Sequence, residues 1–284
     1  MKYKEFLDLM EEIAPTEAYR DIDNSGPQIY SGSQDIDRIL VCLEMNMSVL
    51  MEAADVNADL ILTHHPLIYT PQSVIDYNDL PGRYIHWSIN LGMSVYSSHL
   101  AFDFAKDGNN AYLAKLLGLV DVEPGSAEKE WIGTLPEPMT FEQACRHVEQ
   151  ALDLPENYIR CVDGGRPEIS KVGLCTGAGG GFIEDAAKSG CDLYITGDLK
   201  LHEAQYAKAS RLCVIDAGHY GTEKIFSENM AEQINAKAKE KGLDSFPLSC
   251  APRPSGRPGK SPARRAPGPA AASVPAYGCG RARG

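Results

Sequence analysis

Five side chains of metal-binding type stand in three separate stretches of the sequence: His64, His65, Asp103, His219 and Glu223. The adjacent histidines follow an apolar run typical of a strand, and the proline after them favours an extended backbone. Adjacent side chains on an extended backbone point to opposite faces, an arrangement that suits two ions better than one. His219 and Glu223 are four residues apart, so their side chains share one face if both lie in the same helical turn.

The five residues together predict a site for two divalent metal ions. Imidazole with carboxylate is a ligand mixture favoured by Zn, Fe or Mn, and a carboxylate can bridge two ions. A histidine pair alone is also typical of a turn. Glu223 alone also suits the first turn of a helix, where an acid interacts favourably with the helix dipole. The metal interpretation therefore depends on all five residues occurring together.

Other polar residues near these stretches give weaker signals. His99 precedes Asp103 by four residues, and we expect it to orient a ligand or a water rather than to bind a metal itself. Asp198 and His202 could line the same cleft, although a helix N-cap and a surface histidine explain them equally well. The glycine-rich loop 176–181 lacks the residues of a phosphate-binding loop, so we interpret its glycines as forming a tight turn.

An internal repeat at a fixed offset of 133 residues organises the sequence that carries these side chains. The matched positions are Cys42 with Cys175, Ala53-Ala54 with Ala186-Ala187, Asp59-Leu60 with Asp192-Leu193, and Thr63 with Thr196. Each copy has the pattern strand, helix, strand, and a right-handed crossover makes the two strands parallel. A third strand follows in each copy and leads into a loop that bears histidine. We therefore predict an α/β fold of two related modules, with mixed sheets packed around a central dinuclear metal cleft.

The composition is that of an ordinary globular protein, with 43% hydrophobic and 23% charged residues. The formal charge of −12 argues against nucleic acid or anionic membranes as partners. No apolar run reaches the roughly 18 residues that a membrane span needs. The eight cysteines occur singly and mostly within apolar runs, so we expect them to be reduced core residues. These features predict a cytoplasmic protein.

Three segments are expected along the chain. Residues 1–126, completed by residues 217–250, form the first α/β domain, and residues 127–216 form the second. Residues 251–284 carry seven Arg or Lys and no Asp or Glu, and they are rich in Pro, Gly and Ala without an apolar period. This composition predicts a disordered basic tail, with a nucleic-acid-binding arm or a reading-frame artefact as the alternatives.

Four blocks of the sequence occur in the chain order LTHHPL, SSHLAFDFAKDGNNAYLAKLLGL, GLCTGAGGGFIEDAAKSGCDLYITGDLKLHEA and IDAGHYGTEK. Together they resemble the dinuclear metal-centre family known as GTP cyclohydrolase 1 type 2 homologs. The resemblance runs over residues 1–248 and implies that the five residues named above are the metal ligands. It also implies two α/β domains, the first completed by the C-terminal helix, and a ring-shaped homohexamer with metal sites facing an interior cavity.

The sequence departs from that family at two places. Many members carry an inserted domain in mid-chain, and the short link 119–130 leaves no room for one. The basic tail is unlike the usual end of the family, and we assign it no function by analogy.

The function that follows is hydrolysis of a small nucleotide-type substrate at a dinuclear metal centre. The family name implies the GTP cyclohydrolase reaction, in which water attacks C8 of guanine, formate is released and dihydroneopterin triphosphate remains. Nothing in the spacing of the residues selects guanine over another substrate. A dinuclear phosphoesterase is the alternative within the hydrolases, and a non-enzymatic metal-binding or regulatory scaffold is the alternative outside the enzymes.

Overall fold

The computed structural model describes residues 1–126 and 128–243, together with the backbone of residues 246–249. These residues form two mixed β-sheets with helices packed against them, which confirms the α/β class. The first sheet contains β1 (Gly26–Ile29), β2 (Arg38–Cys42), β3 (Leu60–Thr63), β4 (Ser94–Ser97) and β11 (Phe246–Ser249). The second contains β5 (Val120–Pro124), β6 (Trp131–Met139), β7 (Arg160–Val162), β8 (Ile169–Leu174), β9 (Leu193–Thr196) and β10 (Cys213–Asp216).

Ten α-helices connect and cover these strands in the described part of the chain. They are α1 (Tyr3–Ile13), α2 (Met47–Asp55), α3 (Gly82–Asn90), α4 (Leu100–Asp103), α5 (Asn109–Leu116), α6 (Phe141–Ala151), α7 (Ile183–Lys188), α8 (Leu201–Ala209), α9 (His219–Glu223) and α10 (Phe226–Glu240). Within those same residues, no helix is both long and apolar enough to cross a membrane.

Each sheet has a parallel centre with antiparallel strands beside it. The first sheet has the order β1-β4-β3-β2-β11, in which only β1 is antiparallel to its neighbour. The second has the order β5-β6-β8-β9-β10-β7, in which β8, β9 and β10 are parallel and the other pairings are antiparallel. The parallel pairs β2-β3 and β8-β9 are those that the repeat predicts.

The two copies of the repeat have equivalent hydrogen bonds as well as the same topology. The Asp59 carboxylate accepts the backbone N–H groups of Asp37 and Arg38, each at 2.9 Å. The Asp192 carboxylate accepts the two N–H groups at the equivalent positions, 133 residues later in the chain, at 3.1 and 3.0 Å. In both copies one aspartate therefore links the beginning of one parallel strand to the beginning of the next.

Apolar side chains cover both faces of the first sheet, as expected for parallel strands. On one face α1 and α10 pack together, and Phe6 meets Tyr96 of β4 edge-on with ring centroids 5.3 Å apart. On the other face α2 contributes Val49 and Leu50, and α3 contributes Ile85. Because the faces are closed by apolar contacts, the polar residues that follow β3 and β4 gather at the carboxyl end of the sheet.

The sequence favours one long helix over residues 221–241 with His219 at its start, but the structure divides this segment. It is divided into α9 and α10, and the junction residues Lys224 and Ile225 have ψ of −19° and −17°. These values are nearer to a 3₁₀ turn than to an α-helix, so the backbone tightens there and starts a second helix. His219 and Glu223 nevertheless share one short helix, as their spacing predicts.

The cysteines also differ in part from the expectation of a reduced core set. None of the six in the described residues forms a disulfide, and Cys42, Cys175, Cys191 and Cys213 are buried. Cys145 is half-buried and Cys161 is exposed, so the prediction of core positions is wrong for these two. Both lie at the margin of the second sheet, one on α6 and one on its edge strand β7.

The proposed segment boundaries stay a prediction. β5 precedes residue 127 and already pairs with β6 of the second sheet. The basic tail 251–284 lies outside the described residues.

Candidate metal centre

The five residues with predicted metal-binding roles come together where the parallel strands end. His64 and His65 directly follow β3, Asp103 ends α4 after β4, and α9 after β10 carries His219 and Glu223. Ligand atoms of His64, Asp103 and Glu223 lie within 4.8 Å of one another, and the same holds for His65, His219 and Glu223. The structure therefore assembles two groups of three residues that share one carboxylate.

Glu223 lies between the two groups. Its Oε1 is 3.6 Å from His64 Nε2, while its Oε2 is 3.0 Å from both His65 Nε2 and His219 Nε2. On the His64 side, Asp103 Oδ1 also lies 3.6 Å from His64 Nε2. Each oxygen of one carboxylate thus faces a different histidine group, which is the arrangement of a bridging ligand.

Two histidine rings are oriented through their other nitrogen. His64 Nδ1 donates to the carbonyl oxygen of Ser98 at 2.9 Å, and His219 Nδ1 lies 2.7 Å from Asp198 Oδ2. His64 Nε2 is buried and has no hydrogen-bond partner among the described residues. Such outer contacts fix the tautomer that leaves Nε2 available to a metal. An orphaned imidazole nitrogen beside two buried carboxylates fits a divalent cation.

The charges of the centre depend on one another. Burial lowers the pKa of His64, but the carboxylates of Asp103 and Glu223 outweigh it and raise that pKa to about 9. The Glu223 carboxylate, 3.0 Å from His219 Nε2, raises the pKa of His219 to about 9 as well. Burial raises the pKa of Glu223, yet the neighbouring histidines hold it well below its ordinary value. Positive charge therefore stabilises this buried cluster, either as protons or as a metal.

Gly177 closes one side of the centre. It has φ of +66°, and a Cβ at this position would lie 2.1 Å from Glu223 Oε1. The backbone N–H of Gly177 donates to Thr222 Oγ1, and that of Gly179 donates to Thr196 Oγ1, each at 2.9 Å. These N–H groups are already bonded within the protein, so the loop 176–181 is a turn that lets the backbone approach Glu223.

In the structure His99 lies closer to the predicted metal ligands than the sequence indicated. One of its ring nitrogens lies within 4.8 Å of ligand atoms of His64 and His65. Its Nδ1 is 2.8 Å from Asp23 Oδ1, and Asp23 also accepts the backbone N–H of Leu100 at 3.2 Å. Sequence reasoning missed Asp23, because it is 76 residues from His99 and precedes a short edge strand.

Asp198 and His202, the two weaker candidates of the second module, have different positions relative to the centre. Asp198 contacts His219 and thereby supports the centre. His202 is exposed near the beginning of α8. A further support not anticipated from the sequence is Asn109, whose Nδ2 donates to Asp103 Oδ1 at 2.9 Å.

The fold and the clustered residues define an α/β protein with a buried histidine and carboxylate centre suited to metal ions. The model of the family Duf34/NIF3 (NGG1p interacting factor 3) matches residues 1–254, and the chain belongs to this family.

Relatives and solved structures agree with this membership. A Clostridium acetobutylicum protein named GTP cyclohydrolase 1 type 2 homolog is 30% identical over 253 residues, covering 86% of this chain and 94% of that protein. A protein of the same name from Clostridium perfringens is 32% identical over 245 residues, covering 84% and 92%. The crystal structure of a Bacillus cereus protein related to NIF3 has a TM-score of 0.81 at 21% identity, covers 89% and 97% of the two chains, and shares the fold.

Proposed function

We propose that this protein is a dinuclear metal-dependent hydrolase acting on a nucleotide-type substrate. The observation that carries the proposal is the position of Glu223, whose two oxygens face His64 on one side and His65 with His219 on the other. Two divalent ions, when bound, supply a Lewis acid that polarises a substrate oxygen and lowers the pKa of water. Zn, Fe and Mn all suit this ligand chemistry.

The residues of the chain supply position and charge for that chemistry. Asp103 and Glu223 are buried carboxylates, and buried negative charge favours cations over neutral ligands. Asn109 and Asp198 hold Asp103 and His219 in place through hydrogen bonds. His99, held by Asp23, offers a ring nitrogen beside both histidines that follow β3. This nitrogen is suited to hydrogen-bond a substrate.

The nucleotide assignment rests on the relatives. Curated relatives at about 30% identity carry the name GTP cyclohydrolase 1 type 2 homolog. The finer form of the proposal is that GTP is converted to dihydroneopterin triphosphate with release of formate. We further propose a cytoplasmic homohexamer.

The decisive experiment combines metal content with turnover. Chelator-free protein is analysed for metals, reloaded with Zn, Fe or Mn, and incubated with GTP while formate is measured. We expect formate release by the loaded protein. Glu223→Gln should lose at least one ion per chain together with turnover, whereas Glu228→Gln, an exposed glutamate five residues later, should match the unmodified protein.

The other outcomes separate the alternatives. If the loaded protein leaves GTP intact and hydrolyses a phosphoester such as p-nitrophenyl phosphate, the protein is a dinuclear phosphoesterase. If it binds two ions and turns over neither substrate class, a metal-binding or regulatory scaffold is the better account. If Glu223→Gln and Glu228→Gln keep equal metal content, Glu223 is not a ligand and the proposal fails.

A further inference from the structure

A pair of cysteines lies away from the metal centre, at the margin of the second sheet. Cys145 on α6 and Cys161 on β7 have their sulfur atoms 3.4 Å apart. Both belong to the accessible part of the cysteine set, since Cys145 is half-buried and Cys161 is exposed. The other cysteines within the described residues are buried. Among the six cysteines of the described residues, this pair is therefore the more accessible to oxidants in solution.

The contact is held by the connection between the two elements. The chain leaves α6 after Ala151 and returns as β7 at Arg160. Glu149, one helical turn after Cys145, accepts the backbone N–H of Tyr158 at 3.0 Å. β7 is fixed on its other side, because Cys161 pairs with Ile215 of β10 in antiparallel register. The two sulfur atoms are thus brought together by the fold.

The two thiols are chemically unequal. Cys161 is the more exposed of the two, and the contact with Cys145, in which either thiol can donate, lowers the pKa of Cys161. The same contact, together with burial, raises the pKa of Cys145. An accessible cysteine with increased thiolate character beside a second thiol is the usual arrangement of a redox-reactive pair. Cys161 is therefore suited to attack an oxidant, and Cys145 is suited to resolve the product.

We propose that Cys145 and Cys161 form an oxidation site that reacts with hydroperoxides and closes to a reversible intramolecular disulfide. A disulfide has an S–S bond of about 2.05 Å, so the sulfur atoms, 3.4 Å apart, must approach by about 1.3 Å. The bond joins α6 to the edge strand beside β10. The segment that follows β10 begins α9 with His219, so the disulfide restrains the margin of the sheet next to the metal centre.

The reaction balances in two steps. The Cys161 sulfur attacks one oxygen of the hydroperoxide, the O–O bond breaks, and a sulfenic acid and an alcohol form. The Cys145 sulfur then attacks the Cys161 sulfur, the S–O bond breaks, the S–S bond forms, and the hydroxyl leaves as water with the Cys145 proton. Two thiols lose two electrons in total, and the hydroperoxide is reduced by two electrons to alcohol and water.

The test uses the full chain with Cys250→Ser and Cys279→Ser, so that the cysteines outside the described residues cannot compete. Reduced protein is treated with hydrogen peroxide, digested without reductant and mapped by mass spectrometry. We expect a peptide pair joined through Cys145 and Cys161, the loss of two titratable thiols, and recovery of both thiols with dithiothreitol. The oxidised protein should also have a higher Tm than the reduced protein.

Single variants separate the roles of the two thiols. Cys145→Ser should leave a sulfenic or more oxidised Cys161 and abolish the joined peptide and the rise in Tm. Cys161→Ser should leave Cys145 reduced at the same peroxide concentration. The proposal is overturned if peroxide oxidises Cys161 without joining it to Cys145, if either thiol pairs with Cys213 instead, or if both stay reduced while buried cysteines react. None of these readouts depends on metal loading or turnover.

Discussion

Replacing Gly177 with alanine tests whether Glu223 is held in a fixed position at the metal centre. The added Cβ would lie 2.1 Å from Glu223 Oε1, whereas ordinary contact begins near 3.4 Å, so the carboxylate must move by about 1.3 Å. Metal–ligand distances in proteins are tolerated within about 0.2 Å. A displacement several times larger removes Glu223 as a shared ligand, and we expect Gly177→Ala to hold at most one ion per chain.

The backbone effect of this substitution is separable from the steric effect. Gly177 has φ of +66°, and alanine in the left-handed region costs about 1–2 kcal/mol. Gly92 has φ of +68° with nothing within 4 Å of an added Cβ, so Gly92→Ala carries the same backbone cost without the clash. For a chain of this size each kcal/mol corresponds to about 2–4 °C. Metal-free Gly92→Ala should therefore lose roughly 2–8 °C in Tm, and metal-free Gly177→Ala, which adds the clash, should lose at least as much.

The assay is elemental analysis of metal-loaded protein, combined with the rise in Tm when metal is added. Gly92→Ala should keep two ions and the full rise, whereas Gly177→Ala should lose most of both. Shortening the carboxylate in the double variant Gly177→Ala, Glu223→Asp should restore part of the binding. Equal metal content in the two alanine variants would refute the account of Gly177 and Glu223.

Three other predictions follow from local contacts. The pKa of His64 and that of His219 are raised to about 9 from 6.5, so their contribution to the stability of metal-free protein is complete below about pH 6.5 and is lost as pH rises through 9. The Tm of chelated protein should fall as the pH rises from 7 to 9.5, and the Tm of metal-loaded protein should change less over the same range. A flat or rising profile of the chelated protein would contradict this. Thr140→Ala removes the side-chain cap of α6 and should cost about 1 kcal/mol, or 2–4 °C in Tm, and an unchanged Tm would show that the capping box is dispensable. Burial raises the pKa of Cys191 to about 11. At pH 7.5 iodoacetamide should therefore label the exposed Cys161, while Cys191 should react only after unfolding. Labelling of Cys191 in the folded protein would refute its burial.

The repeat made the centre of both sheets predictable from the sequence. Parallel pairing of β2 with β3 and of β8 with β9 follows from the matched strand–helix–strand patterns, because a right-handed crossover through a helix makes the two strands parallel. β5 and β7 were not predicted, since most of their residues are exposed and carry no apolar period. The break between α9 and α10 has no proline or glycine to signal it.

The site was predictable for residues whose partners lie at strand ends or one helical turn away. The histidines after β3 and the His219–Glu223 spacing gave such signals. The contacts that hold the site residues in place could not be predicted in this way. The contact of Asp23 with His99 joins residues far apart in the sequence, and it arises only when β1 pairs with β4. Gly177 likewise belongs to a loop whose glycines predict a turn. The sequence does not show that the missing Cβ leaves space for the Glu223 carboxylate.

The equivalent strands β3 and β9 are followed by different residues in the two copies of the repeat. His64 and His65 correspond by this offset to Gly197 and Asp198. At the first of these positions a Cβ would lie 2.5 Å from the backbone nitrogen of His219, and at the second the carboxylate contacts the ring of His219. The two equivalent strand ends are thus complementary, since one carries two of the predicted ligands and the other provides clearance for the backbone of His219 and a contact to its ring. Histidines at both strand ends would remove that clearance and that contact, so the predicted centre depends on the difference between the two copies.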